Sequence, residues 1–130
     1  MNLKEIEGYW REAGQDALDT AFKLYEQNKY VHSLFFLHLS IEKTLKGLYV
    51  NRNKEEAPFG HSLQILISKI NDVAPDKDYL KFLVEVTTFN IATRYNDYKK
   101  SFYKTCTKDF ASQYLNEGKE VILWLESLFR

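Results

Sequence analysis

Apolar residues recur at three- and four-residue spacing over most of this chain, and the longest such run opens at Tyr30. In YVHSLFFLHLSIEKTLKGLYV, the residues Val31, Leu34, Phe35, His38, Ile41, Glu42, Leu45, Leu48 and Tyr49 fall on one face of an α-helix. The spacing predicts a helix over Tyr30–Val50, with Leu34, Phe35, Ile41, Leu45 and Leu48 almost fully buried. His38 and Glu42 stand one turn apart in the middle of this apolar face. Burying either without a partner is costly, so each must be paired, reach the edge of the core, or carry out chemistry. Lys43 and Lys46 project from a neighbouring face.

The same periodicity predicts a first helix over Leu3–Gln27, lined by Ile6, Trp10, Ala13, Ala17, Ala21 and Leu24. Its alanines at spacing four narrow one face, so another helix can approach closely. Gly14 costs about 1 kcal/mol of helix propensity relative to alanine without interrupting the period. Asn28-Lys29 is a break, and Asn51 to Gly60 is a polar loop. A short helix follows near His61–Asp72, with Leu63, Leu66, Ile67 and Ile70 inward. Pro75 breaks the chain, and Asp76 or Asp78 caps the next helix, over Tyr79–Thr93. Within it VEVTTFNI has the composition of a strand. A lone strand would leave its backbone groups unpaired, and Tyr79, Phe82, Val86 and Phe89 keep helical spacing. Arg94 to Thr107 reads as a loop or frayed connection, and Lys108–Phe129 as the last helix. Short connections make neighbours antiparallel. The expected architecture is all-α, an antiparallel up-and-down helical bundle of four long helices plus a short one, as a single domain over residues 1–130.

Composition narrows the functional classes. A chain of 130 residues can bury roughly two thirds of its unfolded surface. Its 18 basic and 18 acidic side chains cancel, so nucleic acid or anionic lipid would have to be held by a local patch. Cys106 is the only cysteine, which rules out an internal disulfide and suits a cytoplasmic setting. No apolar run approaches the roughly 18 residues of a membrane span, and MNLKEIEGYW lacks the apolar segment of a signal peptide. His32, His38 and His61 have no carboxylate or thiol at a metal-ligand spacing. Neither a glycine-rich phosphate loop nor a serine nucleophile motif occurs, so no metal or cofactor is implied.

Three features could carry chemistry. Glu42 precedes Lys46 by four residues, the favourable order for a helix ion pair, while His38 reads as a satisfied core histidine. His61 caps or packs at a helix start. The segment RYNDYKKSFYKTCTK sets Arg94, Lys99, Lys100, Lys104 and Lys108 against Asp97 alone, with Tyr95, Tyr98, Phe102 and Tyr103 interleaved. Cations hold phosphates and aromatic faces stack bases, so the mixture suits a nucleotide or single-stranded RNA. A solvated segment whose aromatics fold back on the bundle is the plainer reading.

A first helix with Trp10 and spaced alanines leads to a Tyr-opened helix carrying Glu42-Lys43-x-x-Lys46. A loop then ends in His61-Ser62-Leu63, and Arg94-Tyr95 follows the fourth helix. This order resembles the HEPN family, the higher-eukaryote and prokaryote nucleotide-binding domains, over nearly the whole chain. The resemblance implies two functional pictures. In one, HEPN proteins are metal-independent ribonucleases with an arginine followed, after four to six residues, by a histidine, two copies meeting across a dimer. Arg94 matches the arginine, but Lys99, Lys100 and Ser101 occupy the histidine positions. The general acid/base is therefore missing, and an exposed ammonium titrates too high to replace it near neutrality. In the other picture, HEPN proteins are small partners of minimal nucleotidyltransferases, as in toxin–antitoxin-type systems.

The resulting expectation is a non-catalytic homodimer, joined through Tyr79–Thr93 and the segment from Arg94. It would bind a nucleotide, a minimal nucleotidyltransferase, or both. Lys43, Lys46, His61 and Arg94 would converge on an anion and Tyr95 would stack a base. Tyr98, Lys99, Lys100, Tyr103 and Lys104 would form a basic, aromatic patch suited to nucleotide or RNA. The alternatives are a degenerate ribonuclease using Arg94 with the lysine cluster, and a structural interaction module.

Overall fold

The computed structural model describes residues 1–94 and 96–130, with side chains outside 93–99. It is all-helical among these residues. Helix α1 spans Leu3–Glu26. The Asn2 side chain accepts from the Glu5 amide at 2.8 Å, satisfying one of the free donors at the helix start. Asn28, with φ 64°, turns the chain in the left-handed region that asparagine tolerates better than most residues. Helix α2, Tyr30–Asn53, then runs back antiparallel to α1.

These two helices approach closely because small residues face each other. Ser33 Oγ donates to the Ala21 carbonyl at 2.7 Å, and Ser40 Oγ donates to the Gly14 carbonyl at 2.8 Å. A β-carbon on Gly14 would lie 2.6 Å from Thr44 Oγ1 and 3.3 Å from the Ser40 carbonyl oxygen. The small-residue face of α1 is thus Gly14, Ala17 and Ala21, all buried, with Ala13 at its edge.

Contact with α1 on one side and with α3, α4 and α6 on others makes α2 the central element. Leu34, Ile41, Leu45 and Leu48 are wholly buried as the stripe predicts. So are Ser33, Leu37, Ser40 and Thr44, off the predicted face. Phe35 departs from expectation and is only half-buried. With neighbours on several sides, burial follows the helices that enclose α2 rather than one apolar stripe. Phe35, Phe36, Leu39 and Lys43 are left on the more open side. α2 also runs past Val50 to Asn53 and ends in Lys54, at φ 58°.

Residues 54–62 return along α2 to the start of α3, Leu63–Ser68. Gly60, at φ 131°, occupies a conformation that side-chain-bearing residues rarely adopt. Ser62, not His61, caps α3 by accepting from the Ile65 amide. The helix is shorter than its apolar spacing suggests, yet Ile70 beyond its end is still buried. Asp76 accepts from the Tyr79 amide at 2.7 Å and opens α4, Lys77–Arg94. VEVTTFNI lies inside this helix. Phe82, Leu83, Val86 and Phe89 face the core, while Leu80, Val84 and Ile91 are exposed on the other side.

The segment expected as a loop between Arg94 and Thr107 instead contains a helix, α5, Asn96–Thr105. Phe102 and Cys106 anchor it; both are buried, and Phe102 meets Phe89 at 5.3 Å between ring centroids. A polar segment with few apolar anchors has little helical signal of its own and gains it by burying them. Thr107 caps α6, Lys108–Ser127, by accepting from the Phe110 amide. Among the described residues the bundle therefore has four long helices and two short ones. Gly118 of α6 sits against Leu37 of α2, where an added β-carbon would come within 2.5 Å of Leu37 Cδ1.

Candidate functional site

Successive turns of α2 place His38, Glu42 and Lys46 in one row, and the 54–62 loop brings His61 to the same row. Glu42 is almost completely enclosed, with 6 % of its side chain exposed. One carboxylate oxygen lies 2.9 Å from His61 Nδ1, and the other lies 3.3 Å from Lys46 Nζ. His38 is wholly buried; its Nε2 is 2.9 Å from the His61 carbonyl oxygen, and its Nδ1 is 4.0 Å from Glu42. An N–H at His38 Nε2 donates to that carbonyl. His61 is therefore held twice, by its ring to Glu42 and by its backbone to His38. The carboxylate fixes the His61 ring with Nδ1 as donor and leaves Nε2 as the second nitrogen. A buried charge needs such partners, which answers the question posed by an acid in an apolar stripe.

Lys43 and Lys46 meet α1 on the other side of this row. Their ammonium nitrogens lie 5.5 and 5.4 Å from the ring centroid of Trp10, within cation–π range. Gly47 permits this arrangement, since an added β-carbon there would approach Trp10 Cβ to 3.2 Å. Trp10 also walls a groove of about 400 Å³ between the first turns of α1 and the loop, lined by Met1, Ile6, Tyr9, Glu56, Ala57 and Phe59 as well. Tyr9 is exposed, and Phe59 is fully so.

Of the anion-site candidates, Lys46 and His61 come together, but on Glu42. Lys43 joins them through Trp10. Arg94 closes α4; its side chain, Tyr95, and the side chains of Tyr98 and Lys99 lie outside the described residues. Thr87 already contacts the α3 start, accepting from the Leu63 amide at 3.1 Å. The rest of α4, from there to Arg94, extends about 10 Å further along the helix axis. Lys100, Tyr103 and Lys104 are exposed on α5. Tyr103 lines a separate hollow with Tyr30, His32 and Cys106.

Two contacts escape sequence reasoning. The Glu42–His61 pair is signalled by an acid needing a partner, but nothing local names His61 as that partner. Spacing assigns Trp10 to the core face of α1, and its contact with two lysines depends on how α1 sits against α2. Cys106 offers no nucleophile, because burial pushes its thiol up to about 12. Among the described residues no group of three or more His, Cys, Asp or Glu side chains could hold a metal ion.

A model of the HEPN domain matches residues 8–128. The chain belongs to the HEPN domain family. A solved structure similar to this HEPN chain is that of TT1696 from Thermus thermophilus, with a TM-score of 0.82 and 21% sequence identity. The match covers 95% of this chain and 98% of that one. At that identity the likeness is one of fold. No curated protein matches. No helix among the described residues is long and apolar enough to cross a membrane.

Proposed function

We propose that this HEPN protein is a non-catalytic binding protein. On this reading it is a cytoplasmic homodimer that takes a nucleotide, pairs with a minimal nucleotidyltransferase, or does both, in a toxin–antitoxin-type setting. The observation that supports the non-catalytic part of the reading best is the engagement of Lys46 and His61 by Glu42. Lys46 and His61, the two candidates that geometry brings together, are both engaged by one enclosed carboxylate. Such a network braces the loop against α2. The sequence adds that no histidine follows Arg94 at the spacing a HEPN ribonuclease uses.

The deciding experiment incubates the purified protein with single-stranded RNA and transfer RNA in the absence of metal. The expected result is no cleavage above background, with nucleotide binding measurable by calorimetry at concentrations up to about 1 mM. Cleavage that disappears in Arg94→Ala would replace this reading with that of a ribonuclease built on Arg94 and the lysines around it. Mixing with a minimal nucleotidyltransferase, followed by light scattering, tests the partner.

A further inference from the structure

We propose that the groove between the first turns of α1 and the 54–60 loop binds a small organic cation, an alkylated ammonium head held by aromatic faces and by the Glu56 carboxylate. The proposal stands on the groove alone and is independent of the reading above. Tyr9 and Trp10 make a corner, with ring centroids 5.8 Å apart and ring planes inclined by 69°. Phe59 of the loop lines the same groove. It is fully exposed and takes no part in the core, and Tyr9 is exposed as well. Aromatic faces carry negative π density. An ammonium ringed by alkyl groups is drawn to that density and covers the apolar surface around it.

Charge selects among apolar ligands. Glu56 is the charged side chain on the groove wall, and it has no ion-pair partner among the described residues. An anion would meet an unmatched carboxylate and a neutral ligand would gain nothing from it, whereas a cation pairs with it. Lys43 and Lys46 stand off Trp10 but do not line the groove. Trp10 already draws those two ammonium groups, so the bound cation falls to the faces of Tyr9 and Phe59, with Trp10 closing the corner. The loop is tethered at both ends. Tyr49 donates its hydroxyl to Glu55, the neighbour of Glu56, and His61 is held by Glu42 and His38. Glu56 and Phe59 lie between these tethers, which lowers the ordering cost of binding. A volume of about 400 Å³ falls in the range of small-molecule sites.

Choline and its neutral carbon isostere, dimethylbutanol, are the probes, because they differ in charge and hardly in shape. Calorimetry on the unsubstituted chain measures binding. Trp10 and Trp124 are the two tryptophans, so fluorescence of Trp124→Phe locates it at Trp10. The expected result is a choline-dependent change in Trp10 emission, with choline bound about tenfold more tightly than dimethylbutanol. Glu56→Gln should weaken choline about threefold, as befits an exposed ion pair, and leave dimethylbutanol unaffected. Phe59→Ala, at an exposed loop position outside the core, should weaken both probes. Vesicles of phosphatidylcholine distinguish a free cation from a lipid headgroup. Protein left in solution supports the free cation, and protein that sediments with the vesicles would overturn that assignment. Choline bound as tightly in Glu56→Gln and Phe59→Ala as in the unsubstituted chain would overturn the groove. Equal affinity for the two probes would overturn the selection of a cation. Absence of choline binding up to about 10 mM would overturn the proposal as a whole.

Discussion

Removing the Glu42 carboxylate would leave Lys46 without a counter-charge where only 10 % of its side chain reaches solvent. Breaking one partner of an enclosed pair is far costlier than the pair is worth, typically about 3–5 kcal/mol. Glu42→Ala should therefore lose about 3 kcal/mol in urea unfolding, and Glu42→Gln less, because the amide oxygen still accepts from His61 or Lys46. A loss below about 1 kcal/mol in Glu42→Ala would mean that the network carries little stability. Cys106 makes a second prediction. Burial raises its thiol from an ordinary value near 9 to about 12, so the folded chain disfavours the thiolate. The folded value lies above the unfolded one. Its contribution to stability is therefore intact below about pH 9 and is lost as the pH rises toward about 12. The native thiol should resist iodoacetamide at about pH 8 and react once urea unfolds the chain. Ready alkylation of the folded protein would show that α5 opens to expose it.

At the scale of elements, α1 contains two glycines in opposite situations. A β-carbon on Gly8 would have nothing within 4 Å, so Gly8→Ala should gain the helix propensity of alanine, about 1 kcal/mol. A β-carbon on Gly14 would lie 3.3 Å from the Ser40 carbonyl oxygen and the Thr44 amide nitrogen, as well as 2.6 Å from Thr44 Oγ1. Backbone atoms of a central helix cannot move aside cheaply, and overpacking of this kind costs about 1–3 kcal/mol. Gly14→Ala should thus destabilise in spite of its better propensity. Thermal unfolding of the two variants side by side checks the contrast. Equal shifts in the same direction would show that α1 and α2 do not meet as closely as Ser33 and Ser40 require.

For the whole molecule, basic and acidic side chains balance, so no net field steers assembly and exposed apolar surface is the place to look for a contact. The outer face of α4 exposes Leu80, Val84 and Ile91, and α3 adds Ile65. This is the helix from which a homodimer is expected, and its inner face is already used by the core. Light scattering at micromolar concentration should report about twice the monomer mass. Val84→Lys, at an exposed helical position, should leave the fold intact and yield a monomer. A monomer in the unsubstituted chain would remove the homodimer from the proposed function.

Local features are the ones legible in the residues alone. The helices over Leu3–Glu26, Tyr30–Asn53, Lys77–Arg94 and Lys108–Ser127 follow from spacing repeated over many turns and from caps such as Asp76. The Glu42–Lys46 pair is legible because both residues sit on one helix, where four-residue spacing guarantees proximity. Packing settles what depends on the rotation and offset of one element against another. It sets His61 rather than solvent beside Glu42, places Trp10 beneath Lys43 and Lys46, and leaves Phe35 half-exposed while burying Leu37. α5 belongs to the same class, because its helix is stabilised by Phe102 and Cys106 only when a core exists to receive them. Periodicity specifies which side of a helix is apolar. It does not specify which residues of a distant helix or loop will meet that side, since a rotation of one position changes every such contact while leaving the local pattern unaltered.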